Sequence, residues 1–429
     1  MKRRIRRDRR ACAYLSRIVF LIWRDTSHPE GGGSEVYVEH TARWLADQGK
    51  QVTIVCAAHQ RSPADETRQG IRFRRRGGRL SVYLHALWYL LTPEGRRADI
   101  VVDVQNGLPF WSPLIRRRPI VALVHHVHRK QWQVIYPGWR GHLGWWLESS
   151  VAPRVYRRRN YVTVSAASAH DLTALGVSRE RITIVHNGLD RPRPKASMTR
   201  SAAPTMCCLG RLVPHKQLEH AIEAVARLRD GISGLSLDII GEGWWADRLK
   251  EAAELHAVED IVTFHGYVEQ DERDALLAGS WIHLVPSLKE GWGIAIMEAA
   301  SVGVPSIAYS SAGGVCESIV DGVTGALVDD FDDFVAYTRK LITDETLLRD
   351  LGSAARIRAE KFHWHESAQR FAAVLERSVP VVNDGVVRRA GAGGLRLGRD
   401  DAERGDDRES DADDPSDHHR DGLAHRSAS

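Results

Sequence analysis

A chain of 429 residues with 43% hydrophobic and 27% charged residues exceeds one ordinary domain and admits two of roughly 180 residues, each able to bury a core. Its net charge of +5 is uneven, with seven of the first ten residues basic and arginine clusters at 72–79, 116–118 and 157–159; this suits anionic headgroups or a phosphorylated acceptor, or equally a solvated face, while no recognition module points to nucleic acid. Five cysteines without a CxxC pair argue against a disulfide framework or structural zinc, and no apolar run is long enough to span a bilayer.

Residues 1–16 read as a basic arm. Ile18–Trp23 reads as a buried strand, because this short apolar run ends at Arg24–Asp25 and leads into glycines rather than a cleavage site. Gly31, Gly32 and Gly33 form a turn where backbone can approach a ligand. Ser34 is the expected N-cap of a helix with the stripe Val38, Ala42, Leu45, stopping by Gly49. Val52–Ala57 is the second strand. Without a true GxGxxG, this βαβ unit gives no ground for dinucleotide specificity.

Further strands are predicted at Ile71–Arg74, Ile100–Val104 and Ile120–Val124. The last runs into His125 and His126, with His128 beyond, and strand ends are where open sheets place ligand groups. Adjacent histidines on an extended segment point in different directions, so no metal site is expected. One of them bonding a substrate hydroxyl stands against a solvent-facing cluster. The Trp-rich stretch 131–146 reads equally as an acceptor loop, a membrane-facing patch or core. Tyr161–Ser165 and Ile182–His186 close a first domain at 17–190, and 191–204, interrupted by Pro192, Pro194 and Pro204, is the expected linker.

Thr205–Leu209 opens a second domain at 205–362. Arg211 and Lys216 follow in the loop GRLVPHK, before a helix with the stripe Leu218, Ile222, Val225, Leu228. Two cations beside a helix N-terminus form a diphosphate clamp. Leu237–Ile240 leads into GEGWWA at 241–246, a weak glycine fingerprint better read as a tight turn into a helix. Ile261–Phe264 runs into His265–Val268, and Asp271–Leu277 starts a short helix. Trp281–Val285 leads into a loop holding Glu290, Gly291 and Gly293, with a helix expected from near Trp292 that carries Glu298. Its free N–H groups would face a phosphorylated ligand in the loop, with the two glutamates reading hydroxyls.

Strands at Ser306–Tyr309 and Leu327–Val328 complete the second sheet. Asp330 and Asp332 make a formal DxD that reads as helix capping. Helices are expected at 331–345 and 347–360, then a final one at 363–379. The charged, aperiodic stretch 380–429 reads as a disordered tail.

GGGSEVYV at 31–38, HNGLD at 186–190, GRLVPHK at 210–216, FHGYV at 264–268 and the E-x7-E pattern from Glu290 to Glu298 stand in the order seen in one family. Together they resemble the GT-B glycosyltransferases of the retaining family 4. The resemblance implies two Rossmann-like α/β domains facing a cleft, with the last helix crossing back to the first domain. It implies a nucleoside-diphosphate sugar in the second domain: Arg211 and Lys216 on the diphosphate, Glu298 on the ribose and Glu290 on the donor sugar. Backbone of Gly291, Trp292, Gly293 and Ile294 would lie near the sugar and phosphate, Tyr267–Val268 beside the base, and Gly32 and Gly33 near the diphosphate and acceptor. His125 stands where many relatives have His followed by Asp. Here His126 follows, which leaves open which of the two serves the catalytic site.

The resemblance further implies transfer with retention of anomeric configuration, and neither metal nor other cofactor. UDP-sugar and GDP-sugar donors are both open. So is the acceptor, whether lipid-linked, phosphorylated, a small polyol or an aminocyclitol. A cytoplasmic enzyme touching the inner face of the membrane peripherally is the expected setting. The competing readings are a GT-B sugar phosphorylase or sugar-phosphate synthase, a nicotinamide-dependent oxidoreductase resting on the weak fingerprint at 241–246, and a non-catalytic sugar-nucleotide-binding scaffold.

Overall fold

A computed structural model describes residues 15–190 and 199–380. The expected basic arm, linker and tail lie largely outside them. Eight strands, β1 (Arg17–Leu21), β2 (Gln51–Cys56), β3 (Asp65–Arg68), β4 (Ile71–Arg75), β5 (Ile100–Gln105), β6 (Ile120–Val124), β7 (Asn160–Thr163) and β8 (Ile182–Ile184), form one sheet in the order β3-β4-β2-β1-β5-β6-β7-β8. Only β3 runs antiparallel to its neighbour. A second sheet, wholly parallel, holds β9 (Thr205–Leu209), β10 (Ser236–Ile240), β11 (Val262–Gly266), β12 (Ile282–Val285), β13 (Ser306–Tyr309) and β14 (Gly325–Val328) in the order β11-β10-β9-β12-β13-β14.

Parallel strands covered by helices on both faces read as unbroken apolar runs. IVALV of β6 is buried at every position. In β5 the one carboxylate, Asp103, is buried too, and it accepts from Ser112 Oγ at 2.6 Å, from the Phe110 N–H at 3.0 Å and from the Tyr156 hydroxyl. These bonds offset its desolvation and staple the loop after β5 in place.

Strand order reverses between β1 and β5 in the first sheet and between β9 and β12 in the second. Open α/β sheets form crevices at such reversals, beyond the carboxyl ends of the strands. The glycine turn follows β1, the Arg211–Lys216 loop follows β9, and Glu290 follows β12.

The final helix, Trp364–Ser378, packs on the first sheet. Phe371 stacks on Phe20 at 6.2 Å between ring centroids, and Trp364 stacks on His40 at 4.3 Å. Trp292, Met297 and Ala300 of the second domain share the core cluster that contains Phe20 and Tyr37.

Two local expectations are corrected, and two elements are new. The helix expected from Ser34 begins at Gly33 with Gly32 as its N-cap, and the Glu35 carboxylate reaches back to accept from the Gly32 N–H at 2.8 Å. The helix expected from Trp292 begins at Ile294, because Gly293 takes φ +89°, a left-handed turn that only glycine adopts without strain. The helix Ser81–Leu91 and the edge strand β3 were not foreseen; SVYLHALWYLL has no polar face and DETR no apolar one. Among the described residues, no helix is long and apolar enough to cross a membrane.

Candidate active site

The loop after β9 turns through Pro214–Lys216 and brings the Lys216 Nζ within 2.6 Å of Glu290 Oε1, which also accepts from Ser287 Oγ at 2.6 Å. The two charged groups, 74 residues apart in the chain, meet because β9 and β12 are neighbours at the strand reversal. Arg211 lies deep in the same crevice, where desolvation lowers its pKa from the ordinary guanidinium value. The GEG turn packs against this loop. A Cβ at Gly241 would lie 2.0 Å from the Gly210 carbonyl oxygen, and one at Gly243 would lie 2.1 Å from that of Leu212. These glycines therefore serve close packing of two backbone segments, as the tight-turn reading has it.

Glu298 stands in the helix Ile294–Ser301 and pairs with Arg273 at 2.7 Å, a residue that also holds Asp274 at 2.8 Å. Burial raises the pKa of Glu298, and the Arg273 charge opposes that shift. Ile294 and Ala295 line the cleft at the helix start, where N–H groups lack intrahelical acceptors. Tyr267 is exposed at the rim, with Val268 beside it.

The first domain closes over this wall with backbone. A Cβ at Gly32 would meet Arg211 Nε at 3.0 Å, and one at Gly33 would meet Ile294 Cγ2 at 3.1 Å. A Cβ at Gly291 would lie 2.7 Å from the His125 carbonyl oxygen. Any larger residue at 291 must push the domains apart. Arg24 lies behind the glycine turn, 3.2 Å from Glu30 and 3.5 Å from Glu35.

His125 is buried, so the solvent-facing reading of the cluster fails for it. Its ring sits edge-on to Tyr37 at 5.3 Å, neither ring nitrogen has a protein partner among the described residues, and burial pushes its pKa down to about 4. His126 is lowered in the same way and faces His128 at 4.1 Å. His128 Nδ1 lies 3.0 Å from Glu148, which also accepts from the Trp132 indole N–H. This carboxylate, 20 residues away, was not expected near the histidines. Burial takes His215, on the opposite wall, down to about 3. The histidines with lowered pKa values are therefore neutral near pH 7.

His125, Gly32, Gly33, Arg211, Lys216, Tyr267, Val268, Glu290, Gly291, Trp292, Gly293, Ile294 and Glu298 all line one cleft of about 1290 Å³. The Trp292 indole is buried against Phe362 at 5.0 Å and His186 at 6.0 Å, so this residue offers the cleft its backbone, the part expected there. Eight arginines and lysines but four glutamates line the cleft, so the site favours an anion. The Trp-rich stretch divides: Trp132 lines the cleft, while Trp139 and Trp146 are exposed.

Sequence reasoning missed Arg24, Arg273, His215 and Ser287, as well as the pair Arg61–Glu242, which bridges the two domains at 3.0 Å. None of these carries a spacing that separates it from ordinary surface or loop residues. Asp330 caps the helix Phe331–Thr343 by accepting from the Asp333 N–H at 2.9 Å, and Asp332 pairs with Arg227 at 2.8 Å. Neither lines the cleft. Among the described residues, no group of three or more His, Cys, Asp or Glu side chains is arranged to hold a metal ion.

Two parallel-sheet domains meeting around one cationic cleft define a GT-B fold. Residues 31–193 match the family described as Glycosyltransferase Family 4, and residues 193–358 match Glycosyl transferases group 1. The chain is 30% identical over 413 residues to the MMP alpha-(1->4)-mannosyltransferase of Mycolicibacterium hassiacum, covering 85% of this chain and 98% of that protein. It is 29% identical over 270 residues to the glycogen synthase of Mycobacterium tuberculosis, covering 60% of this chain and 65% of the relative's length. Among solved structures, Anabaena Alr3699/HepE in complex with UDP and glucose superposes with a TM-score of 0.68 at 18% identity, covering 84% of this chain and 99% of that one. The chain belongs to the group 1, family 4 glycosyltransferases.

Proposed function

We propose that the protein transfers a sugar from a nucleoside-diphosphate sugar to an acceptor hydroxyl with retention of anomeric configuration. The observation that carries this reading is the convergence of Arg211, Lys216, Glu290 and the start of the helix Ile294–Ser301 on one crevice, closed by Gly32 and Gly33. Negative charge grows on the diphosphate as the glycosidic bond breaks. Arg211, Lys216 and the helix N-terminus meet that charge where it develops.

Glu290 holds a donor-sugar hydroxyl rather than attacking the anomeric carbon, since its oxygen already accepts from Lys216 and Ser287. Glu298, oriented by Arg273, accepts from the ribose hydroxyls. Backbone from Gly291 to Ile294 borders the sugar and phosphate, and Tyr267–Val268 borders the base. His125, neutral and without a ring partner among the described residues, bonds a hydroxyl of the transferred sugar. The leaving phosphate takes the acceptor proton on the same face of the sugar, so no second carboxylate is required. Uridine and guanosine donors both suit this geometry. The uridine diphosphate in the HepE structure supports the former, and no metal has a role in the reaction proposed. Cytoplasmic residence accords with the free thiols Cys56, Cys207, Cys208 and Cys316.

The test is to supply a panel of UDP- and GDP-sugars and measure nucleoside diphosphate release, then read the anomeric configuration of the product by NMR. A retained product from one donor is expected. An inverted product, or no donor bound across the panel, overturns the reading. Product formed only with inorganic phosphate or a sugar phosphate as co-substrate assigns a phosphorylase or sugar-phosphate synthase instead.

A further inference from the structure

We propose that the outer face of the helix Ser81–Leu91 docks on an anionic lipid surface. Val82, Ala86, Tyr89 and Leu90 are buried against the first sheet. On the opposite side, Leu80 at the helix start is 78% exposed, Leu84 70% and Trp88 66%, and Leu91 continues the series. Spacings of four, four and three residues put them in one stripe. A helix that is apolar all round is a helix covered all round. The protein's own sheet covers only the inner side.

Further apolar side chains are exposed on segments tied to both ends of this helix. Past its C-terminus, Leu114 and Ile115 are exposed on a segment tied down by Arg116, which donates to the carbonyls of Gly95 and Ala98. At its N-terminus, Arg79 donates to the Tyr136 hydroxyl and so joins it to the helix Trp139–Trp146. That helix exposes Trp139, Leu143 and Trp146, again one face at spacings of four and three.

Charge identifies the occupant. A groove of about 1050 Å³ beside Trp88 is lined by Arg17, Lys50, Arg72, Arg74, Arg76 and Arg97; Glu94, which also lines it, pairs with Arg72 and Arg74, and Asp65 pairs with Arg74 and Arg76, so six cations stand against two carboxylates. Exposed Trp and Leu flanked by arginines match the boundary between acyl chains and anionic headgroups, where long cationic side chains reach the phosphates. A second copy of this chain on the same face would bring two such cationic grooves together. A nucleic acid would satisfy the arginines but leave Leu80 and Leu84 in water. Arg79 and Leu80 also line the mouth of the cleft, so docking brings that mouth to the lipid interface. Vesicle binding needs no donor and is independent of the transfer reaction proposed above.

The experiment is flotation of the full chain with vesicles of phosphatidylcholine alone and with about one third phosphatidylglycerol. The wild type is expected to float with the anionic vesicles and to lose about tenfold in binding when salt rises from about 0.1 M to about 0.5 M. The double variant L84S/W88S is expected to bind about tenfold more weakly, with thermal unfolding and donor hydrolysis in water unchanged. Arg97→Glu, altered in the groove alone, is expected to lower binding to anionic vesicles selectively. Failure of the wild type to float, or equal flotation of the wild type and L84S/W88S, overturns the proposal. So does light scattering that shows a wild-type dimer made monomeric by L84S/W88S.

Discussion

The two walls of the cleft are built on different principles. The second-domain wall comes from the loops after two neighbouring strands, β9 and β12, and its charges are already paired: Lys216 with Glu290 at 2.6 Å and Arg273 with Glu298 at 2.7 Å. The first-domain wall comes from loops after β1, β5 and β6 and from the helices Arg129–Ile135 and Trp139–Trp146, and it presents rings and arginines. There Arg24, although paired with Glu30, lies over Trp23 at 4.2 Å, and Arg79 lies between Trp23 at 5.5 Å and Tyr136 at 5.4 Å. Paired charges hold each other at fixed positions before a ligand arrives, which is preorganisation. Rings and arginines make contacts that tolerate several ligand shapes. One wall is suited to a constant group, the nucleoside diphosphate, and the other to a group that varies.

The largest break in this contrast is Lys216→Ala. It removes charge where the leaving diphosphate develops it and leaves Glu290 without its cation. A fall in donor kcat/KM on the order of 10²–10³-fold is expected, with acceptor KM little changed. A variant that instead raises acceptor KM with donor kinetics intact would reverse the assignment of the walls.

Next is Glu298→Ala, expected to weaken donor binding about 10–100-fold, the range for one charge-assisted hydrogen bond. Calorimetric titration of the donor measures it. Burial raises the pKa of this carboxylate, and only its ionised form accepts from both ribose hydroxyls. Donor affinity in the wild type should therefore fall as pH drops through that raised pKa, and the pH dependence should be smaller in Glu298→Ala. Normal affinity in both Lys216→Ala and Glu298→Ala would place the donor elsewhere.

The same contrast governs what the sequence discloses. Arg211, Lys216, Glu290 and Glu298 are legible because each lies at a fixed offset from an apolar strand, and a strand end fixes where the following loop points. Arg273 is illegible because it lies inside a short helix, at no fixed offset from a strand end, and nothing there tells a half-buried arginine from a surface one. The direction of Trp292 escapes for a similar reason: the backbone enters the cleft while the indole turns into a core built with Phe362. The alternating domains and nearly all strands follow from unbroken apolar runs. The helix Ser81–Leu91 does not, because a segment apolar on both faces lacks the period that marks a helix.

A smaller effect on the first-domain wall is read by pH. His125 has its pKa depressed by burial from 6.5 to about 4, so between these values the unfolded chain binds a proton that the folded chain does not. Stability contributed by the neutral ring is fully present above the unfolded pKa and is lost as pH falls toward the folded one. The slope is about 1.4 kcal/mol per pH unit for one such group. Urea unfolding of the wild type and His125→Gln from pH 7 to about pH 4 should diverge by that slope. Parallel curves would mean that the ring is protonated in the fold and lies in a wetter site than its burial implies.

The smallest expected effect concerns the bridge between the walls. Arg61 and Glu242 pair at 3.0 Å, but their side chains are 48% and 34% exposed, and an exposed ion pair contributes little and is screened by salt. Arg61→Ala should change donor KM by about twofold at about 0.1 M salt, and by less at about 0.5 M. The glycine contacts across the cleft, backbone against Arg211, Ile294 and the His125 carbonyl, do not depend on this pair, and closure should survive its loss. A tenfold rise in donor KM that salt does not alter would show that closure rests on the Arg61–Glu242 bridge, and the backbone contacts would then be its consequence rather than its cause.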